Sequence, residues 1–225
     1  LPGLRGTNTR VELVIPRIAD LLPHAVDGTW AQAGYRVQGQ LRVQDRFIHL
    51  TDGVIRGDRI DGSLSARIAD DLDLHSARAQ VRLRTPALST VLPVISGYTA
   101  PDAPLSLAVA VQPTENGIGV RELDVRLADA TLRADGSISL GGAAKSSLKF
   151  EAKGPSLGQL GSFGATTLPA EPFALTGTLR HLQQRYAIDD LALQLGDGSL
   201  KGRIAVVTST TPSVDIDLAS QGKVF

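Results

Sequence analysis

The chain has 225 residues, 42% hydrophobic and 20% charged, which is the balance of a globular protein and excludes a disordered one. Its 23 basic and 23 acidic residues cancel, which argues against a nucleic-acid-binding protein and against tight electrostatic docking on an anionic membrane. Cysteine is absent, so disulfides, thiolate nucleophiles and cysteine metal ligands are excluded. Methionine is absent too and the chain opens with Leu1, so we expect a segment of a longer protein.

A repeated segment recurs at four places along the chain. Each copy carries an apolar–polar alternation, and Pro16 and Pro23 of the first copy have counterparts at Pro86 and Pro93, 70 residues later. Self-similarity at a fixed spacing is the sequence signature of repeat architectures, in which each unit packs on the next. The copies are Val11–Pro23 (VELVIPRIADLLP), Val81–Pro93 (VRLRTPALSTVLP), Leu148–Leu160 (LKFEAKGPSLGQL) and one that begins at Val214 (VDIDLAS).

A second shared pattern opens each unit, and a glycine-centred strand follows it. The unit openings are Tyr35–Val43, Leu105–Val111 and Phe173–Leu179. The glycines, whose spacing sets the unit at 66 to 74 residues, are Gly62, Gly136 and Gly202. We therefore interpret 1–225 as one continuous repeat segment, made of a partial unit 1–34, units 35–102 and 103–171, and a partial unit 172–225.

Within a unit, apolar and polar residues alternate with a period of two. Such alternation predicts strands with one dry and one wet face, and turn signals such as Asn116-Gly117 separate the runs. We predict an all-β fold of about four antiparallel strands per unit, a meander, with short helices only at PRIADLLP and PALSTVLP. The dry face is predicted to consist of Leu105, Leu107, Val109, Val111, Leu123, Val125, Leu127, Leu132, Ile138, Leu140, Leu148, Phe150, Leu175, Leu179, Leu193, Leu195, Leu200, Ile204, Val206, Val214, Ile216 and Leu218.

Two interpretations of the dry face follow from the residues. It can be the core of a β-sandwich, one sheet packed on another. It can instead line an elongated, curled sheet with a hydrophobic groove, because the face is almost purely aliphatic and no segment reads as a layer of covering helices. In a groove the candidates above would contact lipid acyl chains, and shielding a sixteen-carbon chain from water is worth roughly 12 kcal/mol at ~0.8 kcal/mol per CH₂.

The third unit, which begins at 172, carries a further pattern of apolar residues and glycines. Its segments are Phe173–Leu179 (FALTGTL), Leu191–Gly196 (LALQLG), Leu200–Ile204 (LKGRI) and Pro212–Leu218 (PSVDIDL). This pattern resembles the AsmA-like family, the AsmA-, TamB- and YhdP-type periplasmic repeat proteins. The first unit, 35–102, departs from it, because Val54–Gly57 (VIRG) stands where Leu-x-Leu-Gly is expected. The resemblance extends over essentially the whole chain, and the residue types that form the pattern are common ones.

The resemblance implies a function in the envelope of a Gram-negative bacterium. Proteins of this family look like periplasmic bridges, anchored in the inner membrane by regions outside the present segment, that carry phospholipid to the outer membrane. The implied partners are phospholipid acyl chains and an outer-membrane barrel protein, without nucleic acid. The TamB-like alternative is a scaffold that assists outer-membrane protein assembly by pairing a sheet edge with a client strand. A third alternative, an adhesin-like stalk, would use the repeats only as spacers.

No catalytic, metal or cofactor site is expected, and an enzyme is the least favoured class. The four histidines are scattered without ligand spacing, and Asp70-Asp71-Leu72-Asp73 lacks the remaining residues of a calcium loop, so a solvated hairpin tip is favoured there. Gly-Ser pairs such as Gly136-Ser137 lack the Gly-x-Ser-x-Gly context of a nucleophile.

Overall fold

The computed structural model of the protein describes residues 6–17, 32–92, 97–139, 145–208 and 213–221. Almost all of its regular structure is strand, with three single-turn 3-10 helices at Leu74–Ser76, Leu88–Thr90 and Leu157–Leu160. The strands are β1 (Asn8–Ile15), β2 (Tyr35–Gln44), β3 (Phe47–Gly57), β4 (Asp61–Ala69), β5 (Arg78–Thr85), β6 (Tyr98–Thr99), β7 (Leu105–Thr114), β8 (Gly117–Leu127), β9 (Ala130–Ser139), β10 (Ser146–Gly154), β11 (Ser162–Phe163), β12 (Thr166–Thr167), β13 (Phe173–Leu182), β14 (Arg185–Leu195), β15 (Gly198–Val207) and β16 (Ser213–Gln221).

Thirteen of these strands form one sheet in chain order, each antiparallel to its neighbours, from β1 at one edge to β16 at the other. The sheet is not closed into a barrel. The three two-residue strands β6, β11 and β12 form a separate small sheet. The prediction of an all-β chain folded as a curled antiparallel meander is therefore confirmed.

The register repeats along the sheet. The predicted unit openings are the strands β2, β7 and β13, and the four copies of the proline-marked segment begin as β1, β5, β10 and β16. Leu64, Ala134 and Gly202 occupy equivalent positions, because each pairs with the first residue after the irregularity in the preceding strand. The structural period is thus 70 and then 68 residues. The glycines Gly62 and Gly136, by contrast, lie two residues to either side of that position, so equating the glycines was wrong.

A β-bulge interrupts the second strand of every unit. Asp52 in β3, Glu122 in β8 and Asp190 in β14 each have φ of 53°, a left-handed conformation that is uncommon outside glycine. The strand register shifts at each of these residues on both sides. A bulge bends its strand and increases its local twist, so three bulges at one level of the sheet bend it along a common line.

The two ends of the strands differ, and we name them by their connections. The crossover rim carries the long connections between units, 86–104 and 155–172, which are joined to each other through β6 and β11 and through a hydrogen bond from the Tyr98 hydroxyl to the Leu160 carbonyl oxygen (2.5 Å). The opposite hairpin rim carries turns such as Asp45-Arg46 and Glu115-Asn116. At the crossover rim, residues of these two connections therefore pack back against the sheet.

The predicted short helices have mixed outcomes. PALSTVLP forms one turn of 3-10 helix at Leu88–Thr90. The segment PRIADLLP lies, from Ile18 onward, outside the described residues. The first unit keeps the register of the others despite its divergent VIRG sequence, since Ile55 pairs with Val37 as Val125 pairs with Leu107.

Candidate functional site: an uncovered apolar wall

The strand register brings the predicted dry-face residues together on one side of the thirteen-stranded sheet. Directly paired residues of neighbouring strands point to the same face, and residues two apart within a strand do so too. Ladders such as Leu148 with Leu179, and Ile188 with Ile204 and then Ile216, thus run across several strands. Every predicted residue lies on this face except Leu140, which is outside the described residues. We call this face the apolar wall.

The apolar wall continues into the first unit, which the site prediction omitted. The same register places on it Leu13 and Val37, then Ile55, and further residues that include Ile48, Leu50, Leu64, Ile68, Val81 and Leu83. The prediction missed β3 because Thr51 and Asp52 break its alternation. Two polar residues in succession within an otherwise alternating run were the available signal of a bulge. Thirteen strands are separated by twelve spacings of about 4.8 Å, so the wall extends about 58 Å across the strands.

No second sheet covers the apolar wall within the described part of the chain. Extensive contacts between strands of the large sheet are confined to neighbours in that sheet. None of the described large side chains is fully buried. The chain exposes 14416 Å², whereas a compact protein of 23.7 kDa exposes roughly 9,800 Å². The sandwich interpretation is therefore wrong for the described residues.

In the third unit, exposure along the apolar wall rises from the crossover rim to the hairpin rim, whereas Val43, beside the hairpin rim of the first unit, is 3% exposed. Near the crossover rim Phe173 is 4% exposed and Leu195 is 6% exposed, because Leu157 and Leu160 of the connection pack against their cluster. Leu88 and Val91 cover Leu127 in the same way. Towards the hairpin rim, Leu179 is 37% exposed and Ile138 is 41% exposed. The wall thus has a covered margin and an open margin.

The open margin contains an apolar hollow of about 370 Å³, in the size range of small-molecule sites. It spans β3, β4, β5, β7 and β8, across the boundary between two units. Its surface is almost wholly apolar, with the stems of Arg67 and Arg78 at its side. Its apolar lining consists of Ile48, Leu50, Ala66, Ile68, Ala77, Ala79, Val111, Pro113 and Ile118.

Aromatic rings fill positions at the crossover rim where the neighbouring strand has glycine. Tyr35 lies over Gly57 and Phe173 lies over Gly154, so that a Cβ at either glycine would collide with the ring. Tyr35 is 5% exposed, and this burial raises the pKa of its hydroxyl, with a smaller contribution from the charge of Asp58. These pairs close the ends of the wall where strand packing alone would leave gaps.

The other candidate residues form turns and isolated contacts. The carboxylates of Asp71 and Asp73 accept hydrogen bonds from the backbone N–H groups of Asp73 and His75, which caps the hairpin tip. Among the described residues no group of three or more His, Asp or Glu is placed to hold a metal ion. In that same part of the chain no helix is long and apolar enough to span a bilayer.

Comparison of the chain with protein-family models, with curated proteins and with solved structures finds no match.

Proposed function

We propose that this chain is a lipid-binding groove segment, in which the apolar wall shelters phospholipid acyl chains during transport between the inner and outer membranes. We infer a binding role and not a catalytic one. The observation that carries the proposal is a continuous aliphatic face, open at one margin, that no layer covers within the described residues. Exposed apolar surface of this extent is a mark of an interaction or ligand site.

The energetics and dimensions support lipid as the occupant. A sixteen-carbon chain exposed to water costs roughly 12 kcal/mol, and contact with a continuous aliphatic surface removes much of that cost. A wall about 58 Å long provides such contact over a substantial part of the distance between two membranes. The chain has few aromatic residues, only 4%, as suits a surface along which flexible acyl chains slide without a fixed pose.

The resemblance to the AsmA-like family supports the cellular setting. We infer a periplasmic location, a parent protein anchored in the inner membrane by regions outside this segment, and a contribution to envelope integrity. The third unit supports this inference most strongly, through Phe173–Leu179 and Leu191–Gly196.

Native mass spectrometry of the purified chain tests the proposal. We expect copurified phospholipid, and we expect Leu179→Glu to reduce it severely because a carboxylate then stands in the open margin of the apolar wall. Ala174→Glu is the matched control: it adds the same charge to the same strand on the polar face, opposite Lys153. Lipid-free protein, or equal loss of lipid in the two variants, would refute the proposal.

An exposed sheet edge supports a second candidate, strand pairing with an outer-membrane protein client. Within the described residues β16 has a strand neighbour on one side only, and Val214 and Ile216 are 63% and 60% exposed. Open edges of this kind accept extended peptides by adding a strand. A photocrosslinker at Asp217 tests this: adducts with an unfolded barrel protein, absent with the crosslinker at Lys149 in the sheet interior, would support it.

A further inference from the structure

The polar face of the first unit carries a row of basic side chains. Strand pairing sets Arg42 opposite His49, His49 opposite Arg67, and Arg67 opposite Arg78, so the four lie side by side across β2 to β5. Neighbouring strands are about 4.8 Å apart, which brings these groups into close succession. The charge balance of the whole chain hides this row, because the acidic residues of the unit lie mainly in its turns.

The row has little internal compensation. Like charges directly opposite each other on a sheet are destabilising. Neither Arg67 nor Arg78 forms an ion pair within the described residues: Arg67 lies over the Phe47 ring, 4.5 Å from its centroid, and Arg78 donates to the Gln112 side-chain oxygen at 3.1 Å. The guanidinium groups therefore keep donors that an external anion can use.

The other two units hold carboxylates where the first unit does not. In β8, Asp124 pairs with Arg126 and Arg133, at 3.3 and 3.4 Å. The residue equivalent to Asp124 in the first unit is Val54, since each follows the first residue after the bulge.

The third unit uses a different position to the same effect. In β14, Asp189 lies 3.1 Å from Arg180 and 2.9 Å from Arg203, immediately before the bulge residue. Its equivalent in the first unit is Thr51, which precedes Asp52 in the same way. Both compensating positions are thus uncharged in the first unit alone.

A hollow of about 420 Å³ lies beside the basic row on this polar face. His49, Arg67, Arg78 and Arg121 line it, together with one carboxylate, Glu122. Thr51 lines it too, but its hydroxyl oxygen is buried. The hollow therefore has several cationic donors against one carboxylate, and guanidinium groups are strong donors to phosphate oxygens.

We propose that this hollow is a phosphate-binding site, which takes a phosphoryl group from a free phosphate compound or from a phospholipid headgroup. Arg67 and Arg78 supply charge-assisted hydrogen bonds to the phosphate oxygens. The site is on the polar face of the sheet, and the stems of the same two arginines border the apolar hollow of the open margin. The lipid groove is tested separately, by Leu179→Glu in the third unit.

Calorimetric titration with inorganic pyrophosphate and flotation with phosphatidylglycerol-containing vesicles test the site. Pure phosphatidylcholine vesicles give the uncharged comparison. The variant Arg67→Gln/Arg78→Gln should weaken binding by roughly a hundredfold, since each of the two lost charge-assisted hydrogen bonds accounts for about tenfold. The control, Lys149→Gln/Lys153→Gln, removes the same charge from exposed polar-face positions of the second unit.

The outcomes separate the ligand sources and the failure of the proposal. If the arginine variant loses binding to pyrophosphate but not to anionic vesicles, and the lysine variant loses neither, the ligand is a free phosphate compound. If the arginine variant loses binding to anionic vesicles but not to pyrophosphate, the ligand is a phospholipid headgroup. Equal weakening in the arginine and lysine variants would mean unspecific charge attraction and would overturn the site, as would wild-type protein that binds neither probe. Circular dichroism of both variants, expected to match the wild type, establishes that the sheet is intact.

Discussion

Replacing Leu195 or Leu179 with alanine distinguishes the covered margin of the apolar wall from the open one. The two leucines lie on the same face of the adjacent strands β14 and β13, and they differ in exposure, 6% against 37%. In an ordinary closed core both substitutions would leave cavities and would cost similar amounts of stability. On a wall that is open at one margin, only Leu195→Ala leaves a cavity.

The expected magnitudes follow from burial. Leucine to alanine removes about three CH₂ equivalents, or about 2.4 kcal/mol of transfer free energy when the side chain is fully buried. Scaled by its buried fraction, Leu179→Ala should lower the free energy of unfolding by about 1.5 kcal/mol, and water fills the space that it leaves. For Leu195→Ala the transfer loss is nearly complete and a cavity adds to it, so we expect about 3 kcal/mol or more.

Urea unfolding followed by far-ultraviolet circular dichroism measures both values. Lipid must first be removed from the protein, because a bound ligand stabilises the folded state. A loss at Leu179 as large as the loss at Leu195 would refute the reasoning, because it would mean that protein covers the open margin. Leu193→Ala provides an intermediate point on the same strand as Leu195.

Three further predictions concern the supports of the sheet. The raised pKa of Tyr35 means that the unfolded chain releases this proton first, so the free energy of unfolding should fall as the pH rises above 10.0, and Tyr35→Phe should remove that part of the slope in urea titrations at several pH values. Gly202→Ala should destabilise the sheet by about 1–3 kcal/mol in urea, since φ is +151° and a Cβ would collide with the Asp217 carbonyl, whereas Ala205→Gly should not strain the backbone. Tyr98→Phe should cost about 1 kcal/mol in thermal unfolding through the lost bond to Leu160, and no change would show that the bond does not stabilise the fold.

The period-two alternation was sufficient to predict the strands and their dry face. Only a β-strand places alternate residues such as Leu105, Leu107 and Val109 on the same side of the backbone, so the pattern predicts that they share a face. Alternation does not say whether a face is covered, because an aliphatic strand reads the same in a sandwich and in an open sheet. Coverage depends on what the connections do, and here the described parts of 86–104 and 155–172 pack on the wall at the crossover rim.

The amino-acid sequence alone predicts neither the position of the bulges nor the row of basic side chains on the polar face, for two different reasons. A bulge such as that at Asp52 shifts the pairing by one residue, so the equivalence of Leu64, Ala134 and Gly202 cannot be found by aligning glycines. The basic row depends on which arginines of separate strands face each other, and total charge averages this away. The neutral composition argued against a nucleic-acid-binding protein and against tight docking on an anionic membrane, whereas the register concentrates the cations of one unit on one surface.

Under the proposed function, stability and lipid contact belong to different margins of the same sheet. The clusters around Phe173 and Leu127, both at the crossover rim, contain half of the buried apolar side chains of the second and third units. Exposed side chains at the hairpin rim, such as Ile138, bury less apolar surface and so contribute less to folding stability. Their identity is therefore less constrained by folding and can suit contact with hydrocarbon. Because the antiparallel ladder and the bulges hold the open margin in place, a repeat of this kind can be lengthened unit by unit without requiring a closed core at any point along it.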